Sequence, residues 1–185
     1  MFAARRFATN VPRVRVQAAF FHKTAPAFVQ KGDAIPDLNV LVENSPATRS
    51  TSPRSSRARV LLSAFPLLSV RPACSSTHVP GFINHPKLKE AGQVFVVAVN
   101  DPFVTKAWAD SLDPNGKSGI RFLGDPTAKF SEALDLTFDS TAIFGNIRSK
   151  RYALLVEDGK VKEAFVEPDN AGLNVSAAEK VLDLI

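Results

Sequence analysis

The run Val94-Phe95-Val96-Val97-Ala98-Val99, closed by Asn100-Asp101-Pro102, decides the fold class of this chain. Six apolar residues in succession, with no polar alternation, mark a strand buried on both faces of a sheet. Helices must then cover that sheet on each side. Asp101 is placed as an N-cap and Pro102 at the first helical position, so the chain leaves the strand into a helix through Trp108 to about Leu112. Downstream, Arg121 to Leu123 predicts a short strand and Asp125-Pro126 a helix through Leu136. Tyr152 to Val156 and Val161 to Val166 form a hairpin around Asp158-Gly159. A closing helix is expected from about Ser176 to Ile185. Upstream, Ile35 to Val42 reads as a first strand, and residues 74 to 91 as a helix bent or broken near Pro80 and Gly81. Strands alternating with helices and ending in a hairpin define an α/β sandwich with a mixed central sheet flanked by helices.

At 185 residues, 45% of them hydrophobic, the chain suits one domain with a sizeable core plus a tail. No stretch approaches the ~20 apolar residues of a membrane-spanning helix. Cys74 is the single cysteine, so an intramolecular disulfide framework is excluded. One cysteine with His22, His78 and His85 offers no recognised metal-ligand spacing, and no cofactor is implied. The net charge of +5 conceals segments of opposite sign: +6 over residues 1 to 32, −3 over 33 to 46, +5 over 47 to 71 and −3 over 72 to 185. The positive charge lies outside the best-patterned part of the chain, which argues against a nucleic-acid-binding face.

Residues 1 to 32 mix spaced arginines with Phe2, Phe7, Val11, Val14, Val16, Phe20 and Phe21 and contain no acid. That is the pattern of a mitochondrial presequence, with a basic cytoplasmic tail as the alternative. Residues 33 to 185 are the folded domain.

Pro72-Ala73-Cys74-Ser75-Ser76-Thr77-His78-Val79-Pro80-Gly81-Phe82 places the thiol where a helix begins. Unpaired amides at a helix start stabilise a thiolate, the species that attacks an electrophile. A lone cysteine also serves as a small buried hydrophobe. His78, four positions on, either packs structurally or acts as a general base toward Cys74.

Several runs carry a family resemblance: Cys74 to Phe82, Val99-Asn100-Asp101-Pro102-Phe103-Val104, Phe122-Leu123-Gly124-Asp125-Pro126-Thr127, Ile143-Phe144-Gly145-Asn146 with Lys150-Arg151-Tyr152, and Val166-Glu167-Pro168-Asp169. In order and spacing they resemble type-5 peroxiredoxins over about residues 28 to 46 and 72 to 185. The resemblance implies a thioredoxin-like fold and thiol-dependent reduction of hydrogen peroxide or organic hydroperoxides. It implies Cys74 as the peroxidatic cysteine, Arg151 as the arginine that lowers the thiol pKa and binds the peroxide, and Thr77 and His78 as positioning residues. Where many relatives carry a resolving cysteine, this chain has Gly172-Leu173-Asn174-Val175, so an external thiol, glutathione or a thioredoxin-class protein, must reduce the sulfenic acid. The family also makes a homodimer plausible. The alternative is a non-catalytic thioredoxin-like redox sensor or binding module.

Residues 47 to 71 depart from that pattern. The family carries a proline and then a hydroxyl residue before the cysteine; the corresponding positions here hold Leu67 and Arg71. Between Ala47 and Arg59 there is no apolar periodicity, although Val60-Leu61-Leu62 reads as a strand. Codons for residues 47 to 60 exist that, read one base earlier, specify Gly-Asn-Lys-Val-Asn-Leu-Ala-Lys-Glu-Leu-Lys-Gly-Lys-Gly, which is family-like. Continued through residue 71, the same shift yields Val or Ile residues and then Gly-Val-Pro-Ala-Ala-Phe-Ser-Pro. The segment thus reads as a translation in the wrong frame, with a genuine lineage-specific insertion as the alternative.

Overall fold

β4 (Gln93–Ala98) is the strand that the apolar run predicts, and its residues from Val94 onward are buried. It lies inside a seven-stranded mixed sheet ordered β2-β1-β5-β4-β3-β8-β9. The computed structural model describes residues 28–50, 53, 58–63, 73–170 and 172–185. Most of the expected presequence, and positions 67 and 71 before the cysteine, lie outside the described residues. The strands are β1 (Val42–Glu43), β2 (Ser45–Arg49), β3 (Ala58–Ser63), β4, β5 (Arg121–Gly124), β8 (Tyr152–Glu157) and β9 (Lys160–Val166), with a separate hairpin of β6 (Thr137–Asp139) and β7 (Ile147–Ser149). The helices are α1 (Val79–Ile83), α2 (Pro102–Leu112), α3 (Lys129–Ala133), α4 (Thr141–Phe144) and α5 (Ala178–Leu182).

β3 runs parallel to β4 and antiparallel to β8, and β4 runs parallel to β5. The Val60-Leu61-Leu62 run therefore does form a strand, and it is a central one. The parallel pairs also put the C-terminal ends of β3, β4 and β5 on one side of the sheet, and the connections from those ends carry the functional residues.

Two hydrophobic clusters cover the sheet. One joins Phe95, Val97, Leu123, Tyr152 and Leu154 to Phe130 and Leu134 of the α3 region. The other joins Val60, Val94, Val96 and Leu155 to Val79 and Phe82 of α1 and Val181 and Leu182 of α5, with Trp108 and Leu112 of α2 packed against it. Helices thus cover both faces, as the both-sides-buried strand requires.

Local chemistry accounts for the boundaries. Asp101 caps α2 through Oδ1, which accepts from the amides of Phe103 (2.9 Å) and Val104 (3.0 Å). Asp158 (φ 50°) and Gly159 (φ 72°) turn the β8–β9 hairpin in the left-handed region that a tight two-residue turn requires. Gly124 ends β5 where a Cβ would lie 2.8 Å from the Asn100 carbonyl oxygen, so no larger residue fits there.

Four expectations need correction, and one element was not foreseen. Ile35 to Val42 is not a continuous strand: Ala34 bridges Lys160 of β9, at one edge of the sheet, and Val42 pairs with Gly124 of β5 on the other side of the centre. The chain crosses the sheet here instead of running along it, and Ile35 and Leu41 anchor the crossing in the core. The helical run that bears Cys74 is interrupted at Asn84-His85, not at Pro80-Gly81: the chain passes from the first turn into α1 through Pro80, and the Asn84 amide closes α1 on the Pro80 carbonyl. Residues 126 to 136 give only the short α3: Ala128 is left-handed (φ 58°), and the Asp125 carboxylate accepts from the amides of Phe130 and Ser131 and the Ser131 hydroxyl. The closing helix contracts to α5 because Ser176 is engaged elsewhere. The β6–β7 hairpin was not legible, since three-residue strands are too short to show a period.

Replacing Phe95, fully buried against both neighbouring strands, by Ala is expected to cost ~3–5 kcal/mol in urea unfolding. The same change at Phe103, 62% exposed, should stay within ~0.5 kcal/mol.

Candidate active site

Cys74 follows the end of β3, on a π-helical turn (Ala73–His78) that runs directly into α1. A wide turn of this kind is uncommon and recurs at functional sites. Here it presents Cys74 and His78 to the interior while Ser76 and Thr77 face solvent. Cys74 is 2% exposed. The Trp108 indole N–H donates to the Ser75 hydroxyl at 3.0 Å, which fastens the turn to α2.

Arg151 precedes β8 and is completely buried. Its main chain is held on both sides by the loop after β9: its N–H donates to the Asn170 carbonyl (3.2 Å) and its carbonyl accepts from the Glu167 amide (3.0 Å). Its guanidinium Nη1 donates to His78 Nδ1 at 3.1 Å, so the arginine meets the very turn that bears Cys74. β3 and β8 are neighbours in the sheet, which is how Arg151 and His78, 73 positions apart in sequence, come together.

The state of His78 follows from its partners. Nε2 lies 3.0 Å from the Ser176 carbonyl oxygen, which can only accept, and Nδ1 faces a guanidinium, which can only donate. The proton is therefore on Nε2 and the lone pair on Nδ1. Burial first, and the Arg151 charge second, lower the His78 pKa from 6.5 to about 4, so the ring is neutral near pH 7. Neither nitrogen is left to take a proton from Cys74, which sets aside the general-base role weighed from sequence. The ring also stacks edge-on to Phe82 of α1 with centroids 5.7 Å apart.

A buried carboxylate completes the cluster. Glu167 Oε1 accepts from the amides of Asn174 (2.7 Å) and Ser176 (2.9 Å) and from the Ser176 hydroxyl (2.8 Å). Burial alone would raise its pKa; these donors and the Val175 amide outweigh that and hold it below the usual range. Of the residues expected from sequence, His78 and Arg151 are in contact, and Cys74 is buried on the same turn as His78. Thr77 does not join them: it is exposed and its hydroxyl lies 3.3 Å from that of Ser76. Glu167 and Ser176 were missed as site residues. Glu167 lay within a quoted family run, but nothing in a single sequence signals that a glutamate will be 1% exposed.

A mixed sheet with a buried cysteine on the helical turn after a central strand, and a buried arginine brought against that turn, defines a thioredoxin-like fold equipped for thiol chemistry. Comparison with known proteins agrees. The chain belongs to the Redoxin family, whose pattern matches residues 30–182. It is 46% identical over 114 residues to Peroxisomal membrane associated protein 20 of Schizosaccharomyces pombe, covering 60% of this chain and 72% of that protein. It is 41% identical over 115 residues to the mitochondrial Peroxiredoxin-2F of Oryza sativa, covering 60% of this chain and 57% of that one. Among solved structures, peroxiredoxin 5 from Alvinella pompejana superposes with a TM-score of 0.66 at 34% identity, over 77% of this chain and 92% of that chain. The protein is a peroxiredoxin, a thiol-dependent peroxidase that takes a peroxide as substrate and a thiol as reductant.

Because the folded His78 pKa lies below its unfolded value, folding favours the neutral ring. Its contribution to stability is complete above pH 6.5 and declines as the pH falls toward about 4, by ~3 kcal/mol across that span. Denaturant unfolding across this range should show that decline in the wild-type chain, and His78→Asn should flatten it.

Proposed function

We propose that Cys74 is the peroxidatic nucleophile and Arg151 the group that activates it and stabilises the leaving oxygen. A buried positive charge beside the turn favours the thiolate over the thiol. The thiolate sulfur attacks one peroxide oxygen, the O–O bond breaks, and the departing oxygen takes a proton to leave as water or alcohol. Sulfur is oxidised to the sulfenic acid and the peroxide is reduced. Negative charge moves from sulfur to the leaving oxygen, and a guanidinium, which has five donors, can follow it. The observation that carries this reading is the 3.1 Å contact between Arg151 and the histidine of the Cys74 turn, inside a fully buried cluster.

With Val175 and no second cysteine in the chain, turnover requires an outside thiol. One reductant thiol condenses with the sulfenic acid, releasing water and leaving a mixed disulfide; a second thiol attacks that disulfide and returns Cys74. Glutathione or a thioredoxin-class protein fits this role. The acid-free, arginine-spaced residues 1 to 32 support delivery to the mitochondrial matrix, with the cytoplasm as the alternative. Phe103 of α2, Ile143 of α4 and Ile147 of β7 are exposed apolar side chains, and Arg148 of β7 ties the β6–β7 hairpin to the segment between β4 and α2 by donating to the Val99 carbonyl at 2.6 Å. Their exposure supports a homodimer.

Leu67 and Arg71, standing where the family places proline and a hydroxyl, favour the second reading: a redox sensor whose Cys74 oxidises once and does not cycle. The wrong-frame translation of residues 47 to 71 reconciles these positions with catalysis. The shifted codons also give Val or Ile at the positions of β3, so a strand is expected there in either frame.

Mixed with hydrogen peroxide and glutathione or thioredoxin, the purified chain should turn over peroxide, and Cys74→Ser should abolish this. Arg151→Met should slow oxidation of Cys74 by ~100-fold, the scale of losing one oxyanion-stabilising donor. Stoichiometric oxidation without turnover would favour the sensor. For the reading frame, sequencing the transcript between the codons for Pro46 and Cys74 is decisive: the account expects the shifted frame, and a continuous frame encoding the present residues would remove it.

A further inference from the structure

The loop from Glu167 to Ser176 has no part in the reaction as derived so far. In relatives with two cysteines, a thiol in this region must reach Cys74. Here Gly172-Leu173-Asn174-Val175 stands there without a cysteine, and the amides of Asn174 and Ser176 are pinned to Glu167. Three donors converge on one oxygen of Glu167, two of them from Ser176. The carbonyl of that same Ser176 is the acceptor that holds the His78 proton on Nε2. With the proton there, Nδ1 offers its lone pair to Arg151. On the other tautomer, an N–H would point at a guanidinium N–H, and the contact would be lost. The order Glu167, Ser176, His78, Arg151 is continuous, buried throughout, and each link allows one direction of donation.

We propose that Glu167 and Ser176 are positioning residues of the peroxidase reaction, fixing the tautomer of His78 and through it aiming the Arg151 guanidinium. The assignment rests on Arg151 acting at Cys74. It gives the pinned loop a purpose: a chain that relies on an outside thiol has no need to release this segment, and can use it to hold the arginine. Partners one step removed from a reacting group are commonly worth about 10–100-fold when removed.

The test compares wild type, Glu167→Ala, Glu167→Gln and Arg151→Met by three readings: the rate at which hydrogen peroxide oxidises Cys74 in a single turnover, the pH profile of Cys74 alkylation by iodoacetamide, and the nitrogen-15 NMR signature of His78. Wild type should show the Nε2–H tautomer alone. Glu167→Ala should show mixed tautomers, a rate lowered ~10-fold or more, and an alkylation profile moved to higher pH. Glu167→Gln, which keeps an acceptor oxygen without the charge, should fall between them. Should Glu167→Ala fail to fold, the double variant Glu167→Gln with Ser176→Ala carries the same expectation. Wild-type rate, alkylation profile and tautomer in the Glu167 variants, with Arg151→Met slow, would overturn the positioning role alone. A fast Arg151→Met would remove the role of the arginine, and this proposal with it.

Discussion

A guanidinium with no exposure to solvent is the constraint on which the site depends. Moving such a charge out of water is costly unless hydrogen bonds and an opposing charge compensate it. The structure sets a neutral histidine 3.1 Å from the guanidinium and, three hydrogen bonds along through His78 and Ser176, a buried glutamate. In the proposed reading, Cys74 on the adjacent turn supplies the opposing anion as its thiolate. The account links Arg151 and Cys74 through that demand: the charge makes the thiolate easier to form, and the thiolate lowers the cost of the charge.

The sheet makes this arrangement affordable in folding terms. β3, β4 and β5 run parallel, so their C-terminal ends gather the Cys74 turn, the Asp101 cap of α2 and the Gly124-Asp125 loop at one side. β8, antiparallel to β3, begins at that same side, which is why Arg151 meets the turn that bears Cys74. β9 ends there as well and delivers Glu167. The ends of five strands thus gather at one side of the sheet, and the buried clusters on its two faces hold the strands in place.

Elements with a full period or an unambiguous cap were legible in the sequence. The six-residue apolar run gave β4, Asp101-Pro102 gave the start of α2, and Asp158-Gly159 gave the hairpin, because each feature acts within a few residues. Elements set by distant partners were not. Ile35 to Val42 carries strand-like residues but crosses the sheet, a route decided by pairing with Lys160 and Gly124. Residues 126 to 136 carry helix formers, but the Asp125 carboxylate draws in the amides of Phe130 and Ser131 and restarts the helix late. The site divides the same way. Cys74 and Arg151 stand out as candidates through the motifs around them; the burial of Glu167 and the bonds of Ser176 depend on a loop closing over a histidine 98 positions away from Ser176.

The central claim is that Arg151 holds Cys74 ionised near neutral pH, and titration of thiolate absorbance in wild type against Arg151→Met tests it most directly. The account predicts a wild-type midpoint well below the ~8.5 of an unperturbed thiol, and a rise toward that value when the guanidinium is removed. Superimposable titrations of the two chains, or a wild-type midpoint at or above that of an ordinary thiol, would contradict it.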